Sequence, residues 1–129
     1  MSHFVRLRTQ IRERDQLVAA LRDLHYQYQE GENLVVRGYV GNKERAEVVV
    51  NTGCDYDIGF HRKSEEYEVI ADWWGVERGS KIRQQEFVQQ VNRQYAYNVI
   101  RDQAREQNLI VNEEVQENGD IVILLSERG

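Results

Sequence analysis

The sequence predicts an α+β domain, a mostly antiparallel sheet with two helices packed on one face, in the order β-α-β-β-β-β-β-α-β-β. Three observations carry this. Leu17, Leu21 and Leu24 recur at helical spacing with Ala20 beside them. Tyr56, Ile58 and Phe60, then Tyr67, Val69 and Ala71, alternate with their neighbours as half-buried strands do. Asn118-Gly119 separates two apolar runs, a strong short-range hairpin signal.

Each element follows in turn. Residues 3–8 alternate weakly and read as a short strand. The amphipathic pattern from Glu13 to His25 reads as a helix that packs on the sheet. Tyr26–Gln29 and Leu34–Tyr39 read as strands flanking a turn at Glu30-Gly31, and Ala46–Val50 follows a turn at Gly41-Asn42. The two alternating strands come next, with turns at Asn51-Thr52-Gly53 and Arg62-Lys63-Ser64. One sheet face is expected buried and the other wet. A long helix runs from about Lys81 to about Glu106 with Ser80 as N-cap. Leu109–Val115 and Ile121–Leu125 close the chain as a hairpin. Each helix leads into two strands, so two α-β-β units related by duplication are one reading and chance resemblance is the other.

The 129 residues fit a single domain, 1–129. Such a domain buries roughly two-thirds of the surface of its unfolded chain, enough for a core without disulfides or metal. One cysteine, Cys54, excludes an intrachain disulfide and fits a reducing, cytoplasmic setting. No apolar run approaches the ~20 residues of a membrane span. Net charge is −5, so nucleic-acid binding is not expected, although Arg6, Arg8, Arg12 and Arg14 make the N-terminal segment basic.

No catalytic constellation is legible. His3, His25 and His61 form no helical metal pair. Cys54, Asp55, Asp57 and His61 lie close in sequence, but a zinc site needs three or four converging ligands. Gly75-Val76-Glu77-Arg78-Gly79 lacks the Gly-Lys-Ser/Thr ending of a phosphate loop. No catalytic, metal or cofactor residue is assigned, and the chain reads as non-enzymatic.

Two features instead suggest a surface for a protein partner or a second copy. On the long helix, Phe87, Val88, Val91, Tyr95 and Val99 make one face for the sheet. Ile82, Ala96, Ile100 and Ala104 lie nearly opposite, with Tyr97 at their margin. That second stripe is either covered by the first helix or the terminal hairpin, or it is a docking surface. Trp73 and Trp74 stand side by side at a strand end, so they should face opposite ways. One is then exposed as an interface anchor, or folds back over the sheet edge. The alternative is a small-molecule pocket between sheet and helix, lined by Tyr56, Phe60, Tyr67 and Trp73.

The chain resembles the hypothetical chloroplast open reading frame thirty-five (Ycf) family along nearly its whole length. The residues carrying the resemblance begin with Met1-Ser2-His3-Phe4 and Thr9 to Ile11. Arg37-Gly38-Tyr39, Ala46-Glu47-Val48-Val49 and Tyr56-Asp57-Ile58-Gly59-Phe60 follow. Glu66-Tyr67-Glu68, Ala71-Asp72, Gln94-Tyr95-Ala96-Tyr97 and the hairpin at Asn118-Gly119 complete the order. The departure is largest from Trp73 to Ser80. The resemblance implies cyanobacterial cytoplasm or plastid stroma and carries over no catalytic residue.

Overall fold

A computed structural model describes residues 3–128. The elements are β1 (Val5–Arg8), α1 (Arg14–Asp23), β2 (Gln27–Arg37), β3 (Lys43–Asn51), β4 (Asp57–Lys63), β5 (Glu66–Ala71), α2 (Trp73–Gly79), α3 (Gln84–Glu106), β6 (Leu109–Val115) and β7 (Ile121–Glu127). The expected α+β fold is present. β1 to β5 form one antiparallel sheet in the order β1-β5-β4-β3-β2, and β6 with β7 form a separate two-stranded sheet.

The helices α1 and α3 cover one face of the large sheet. Leu17, Val18 and Leu21 from α1 meet Phe87 and Val91 from α3 over Val48, Val50, Ile58, Phe60, Val69 and Ala71. Phe87 is the hub, with Tyr26 edge-on at 5.1 Å, Trp73 at 5.9 Å and Phe60 at 6.2 Å. Such aromatic contacts add to the burial of the rings themselves. Helix α1 ends with His25 in the left-handed region, φ 64°, while the Tyr26 N–H reaches back to the Leu21 carbonyl. That satisfies carbonyls the helix end would leave open.

Three expectations are corrected. Glu30-Gly31 is no turn. β2 is one strand of 11 residues, and its register against β3 shifts between Glu30 and Leu34. The pairing goes from Glu30↔Val48 to Leu34↔Ala46, so the extra residues bulge out and bend the strand. With one strand where two were expected, the echo between helix-hairpin units disappears. The Trp73-Trp74 segment is a third, short helix rather than a strand end. Ser80 closes that helix and does not start the long one: its Oγ donates to the Val76 carbonyl and accepts the Ile82 N–H. The long helix begins at Gln84, whose N–H is taken by the Glu77 carboxylate at 2.9 Å.

The bend also corrects the expected wet face. Beyond it, the β2–β3 arm curls over the back of the sheet, where Val36, Ala46 and Val49 form a second small core with Phe4 and Leu34. Gly59 makes the approach possible. A Cβ there would sit 2.5 Å from the Val36 methyl and 3.0 Å from Ala46 Cβ. Two ion pairs latch the arm. Arg6 on β1 bridges Glu68 on β5 and Glu44 on the arm. Arg37 grips the buried Asp57 through Nε and Nη2, each at 2.9 Å, and Asp57 also accepts the Arg37 backbone N–H.

Candidate functional site

The second apolar stripe of α3 divides. Ile82, just ahead of the helix, packs on the main core, and Ala104 is buried. Tyr97 is half-buried; its hydroxyl meets the Glu113 carboxylate on β6, which pushes its pKa above the usual tyrosine value, with burial adding to the shift. Arg101 stacks over its ring at 5.6 Å. Ala96 is exposed and Ile100 half-exposed, and with Tyr95 and Val99 they line an open groove of about 560 Å³. The opposite wall is the segment from Arg8 to Arg12 that joins β1 to α1.

That wall is built rather than loose. Thr9 Oγ1 donates to the Tyr67 carbonyl and accepts the Ile11 N–H, and the Tyr67 N–H returns to the Ile11 carbonyl at 2.8 Å. Ile11 is buried. The Tyr95 hydroxyl accepts the N–H groups of both Arg12 and Glu13 at 3.0 Å, tying α3 to the start of α1. The Glu13 N–H is one of the donors that a helix start leaves unsatisfied. Tyr95→Phe is expected to lower stability by about 1 kcal/mol, since one acceptor serves two donors that water can partly reach. The checks are the urea midpoint and faster exchange of the Arg12 and Glu13 amides.

The tryptophans part company as neighbours on a helix. Trp73 is buried in the main core, whereas Trp74 is half exposed, at 50%, with the Arg78 guanidinium over its ring at 4.8 Å. Gly75 is buried where Tyr56 crosses, and a Cβ there would meet the Tyr56 ring at 2.1 Å. Phe60, Tyr67 and Trp73 are core side chains, so the space proposed for a ligand between sheet and helix is filled by them.

The groups weighed for chemistry have structural partners. Asp57 is held by Arg37, and His61 Nδ1 lies 2.9 Å from Glu47, whose other oxygen takes the Arg62 N–H. Cys54 Sγ sits 3.1 Å from Thr52 Oγ1. Among the described residues no three His, Cys, Asp or Glu side chains converge as a metal site, and no helix is long and apolar enough to cross a membrane.

Residues 20–124 match the family described as protein of unknown function DUF1257. The chain belongs to this family. Two relatives from plastid-bearing algae are each named "Uncharacterized protein ycf35". The one from Guillardia theta is 34% identical over 132 residues, spanning 97% of this chain and 96% of its own length. The one from Cyanophora paradoxa is 31% identical over 103 residues, spanning 80% and 78%. No solved structure matches the chain. The resemblance read from the sequence is thus to the right family; α3 falls within the matched span, and the groove wall from Arg8 to Arg12 lies ahead of it.

Two features escaped the sequence reading. Asn98 is completely buried in α3, where its amide donates to Asp23 of α1 at 3.3 Å and accepts from Gln94 at 3.2 Å. It continues the spacing of Phe87 and Val91, a legible sign that a second helix covers it. The other is the terminal hairpin. Of its residues Ile110, Val115, Val122, Leu124 and Leu125 are large, apolar and exposed. Alternation alone does not reveal that a hairpin stands apart from the main sheet.

Proposed function

We propose that this domain is a non-enzymatic protein-binding or assembly factor of a photosynthetic organism, working in cyanobacterial cytoplasm or plastid stroma. The observation that carries the reading is the groove beside Ala96 and Ile100. Its floor is apolar, its far wall is fixed by the Thr9 and Tyr95 hydrogen bonds, and its rim carries Arg8 and Arg12 on a chain of net charge −5. A local cationic rim on an acidic protein favours an amphipathic segment with acidic flanks over nucleic acid, which needs a broader basic surface. Arg6 and Arg14 are committed elsewhere, to Glu44 with Glu68 and to the Tyr67 hydroxyl, and Arg12 makes only a long, exposed ion pair with Glu65 at 3.8 Å. The pairing of Asp57 and His61 with structural partners supports the non-enzymatic side of the reading.

Capture from a cyanobacterial lysate by the full chain tests it. A reproducible partner is expected, with Ala96→Glu and Ile100→Asp each lowering capture about tenfold or more, the equivalent of roughly 1.4 kcal/mol. Both variants should keep the wild-type circular dichroism spectrum. Capture of nothing specific, or capture indifferent to both changes, overturns the reading. The volume of the groove also suits an apolar small ligand, and a thermal shift with such compounds in place of protein capture would favour that alternative.

A further inference from the structure

We propose that β7 is a homodimerisation edge, pairing antiparallel with β7 of a second copy about a two-fold axis through Leu124 to make a continuous sheet β6-β7-β7-β6. This surface is distinct from the groove on α3, and the two readings stand or fall separately.

The pairing pattern fixes which backbone groups are free. The Gln116 N–H donates to the Asp120 carbonyl at 2.7 Å, which makes these two a hydrogen-bonded pair. Antiparallel pairs alternate between bonded and non-bonded. With Glu114↔Val122 and Asn112↔Leu124 in register, the even positions of β7 bond to β6. The N–H and C=O groups of Ile121, Ile123, Leu125 and Glu127 therefore point away from β6 as an open row. Natural edges are normally protected by charge, proline or a bulge. β7 reads Ile121-Val122-Ile123-Leu124-Leu125-Ser126-Glu127, uncharged over its first six residues, and its pairing with β6 is regular throughout. The opposite edge, β6, carries Glu113 and Glu114.

The occupant that fits is β7 itself. A two-fold axis must match outward groups with outward groups, so axes between residues are excluded. Centring on Leu124 overlaps the whole strand. Ile123 then faces Leu125 of the other copy, Ile121 faces Glu127, and about eight backbone hydrogen bonds form. The same register sets Asp120 opposite Arg128 of the other copy at each end, a charge complementarity that neighbouring registers lose. Asp120, which already holds Arg93 at 3.1 Å, would gain a second cation. The axis stands perpendicular to the sheet, so both copies keep the same face toward α3. Leu124, 58% exposed, meets its symmetry mate on the outer face, and the exposed Leu125 is covered by Ile123 of the other copy.

Light scattering on the full chain, from low to high micromolar concentration, is expected to give twice the 15.3 kDa chain mass. Leu124→Lys, at a position more than half exposed in the single chain, should return that mass to the monomer value. For the register, two variants are made in a Cys54→Ser background. Leu124→Cys lies opposite itself at a non-bonded pair, close enough for a disulfide, and should cross-link almost completely under mild oxidation. Val122→Cys faces Ser126 of the other copy and should not cross-link. A monomeric wild type, a dimer that survives Leu124→Lys, or cross-linking through Val122→Cys in place of Leu124→Cys each overturns the proposal.

Discussion

Phe87→Ala is expected to lower the unfolding free energy by about 3–5 kcal/mol, the range for removing a buried phenylalanine side chain. Phe87 is fully buried and is the contact shared by α3, the sheet and α2, through Phe60, Trp73 and Tyr26. Phe60, Trp73 and Tyr26 are themselves packed in or against the core, so the surroundings fill the vacated space only in part. Against a typical total of about 5–15 kcal/mol, this change brings the domain close to unfolding at ambient temperature. Urea unfolding should show a sharply lower midpoint with little change in slope, and Phe87→Leu should recover much of the loss. A small shift for Phe87→Ala would mean that the aromatic cluster is not the keystone of the core.

Arg37→Ala is the second large effect, expected to cost about 2–3 kcal/mol, the range for losing charge-assisted hydrogen bonds to a buried carboxylate. Asp57 would remain buried and keep, among the described residues, the Arg37 backbone N–H. The figure stays below that of a fully buried pair because half of the Arg37 side chain is solvated. Arg37→Lys should rescue only partly, since an ammonium cannot bind both oxygens in the fork geometry. The distinguishing readout is hydrogen exchange. The arm should loosen around Val36 and Glu44 while the α1 and α3 amides change less. Uniform loosening would show that the arm is not a separable latch.

The fold class could be read from the sequence because its strongest patterns are local. Leu17, Leu21 and Leu24 announce α1, and Asn118-Gly119 announces the hairpin, each within a dozen residues. What escaped depends on distant partners. Glu30-Gly31 has turn chemistry, and only the register shift from Glu30↔Val48 to Leu34↔Ala46 across the sheet turns it into a bulge. Trp73 to Gly79 is too short and too mixed for periodicity to separate helix from strand. The candidate site was half legible for the same reason. A helical wheel finds both apolar stripes of α3, but which residues of the second stay open depends on the β1–α1 connection crossing Ala96 and Ile100 and leaving a gap. Nothing near residue 96 in sequence encodes the position of Arg8.

The main sheet is complete once Ala71 pairs with Val5, yet its apolar face waits for Phe87 and Val91, which lie further along the chain. During synthesis from the N-terminus the ribosome therefore releases a sheet covered by α1 alone before α3 arrives to close it. The nascent chain passes through an interval with Phe60, Val69 and Trp73 uncovered, and Gln84–Glu106 ends that interval. The β6–β7 hairpin emerges after α3 and is then added to an already closed body. The order of translation separates the part of the molecule that makes the fold from the part that faces outward.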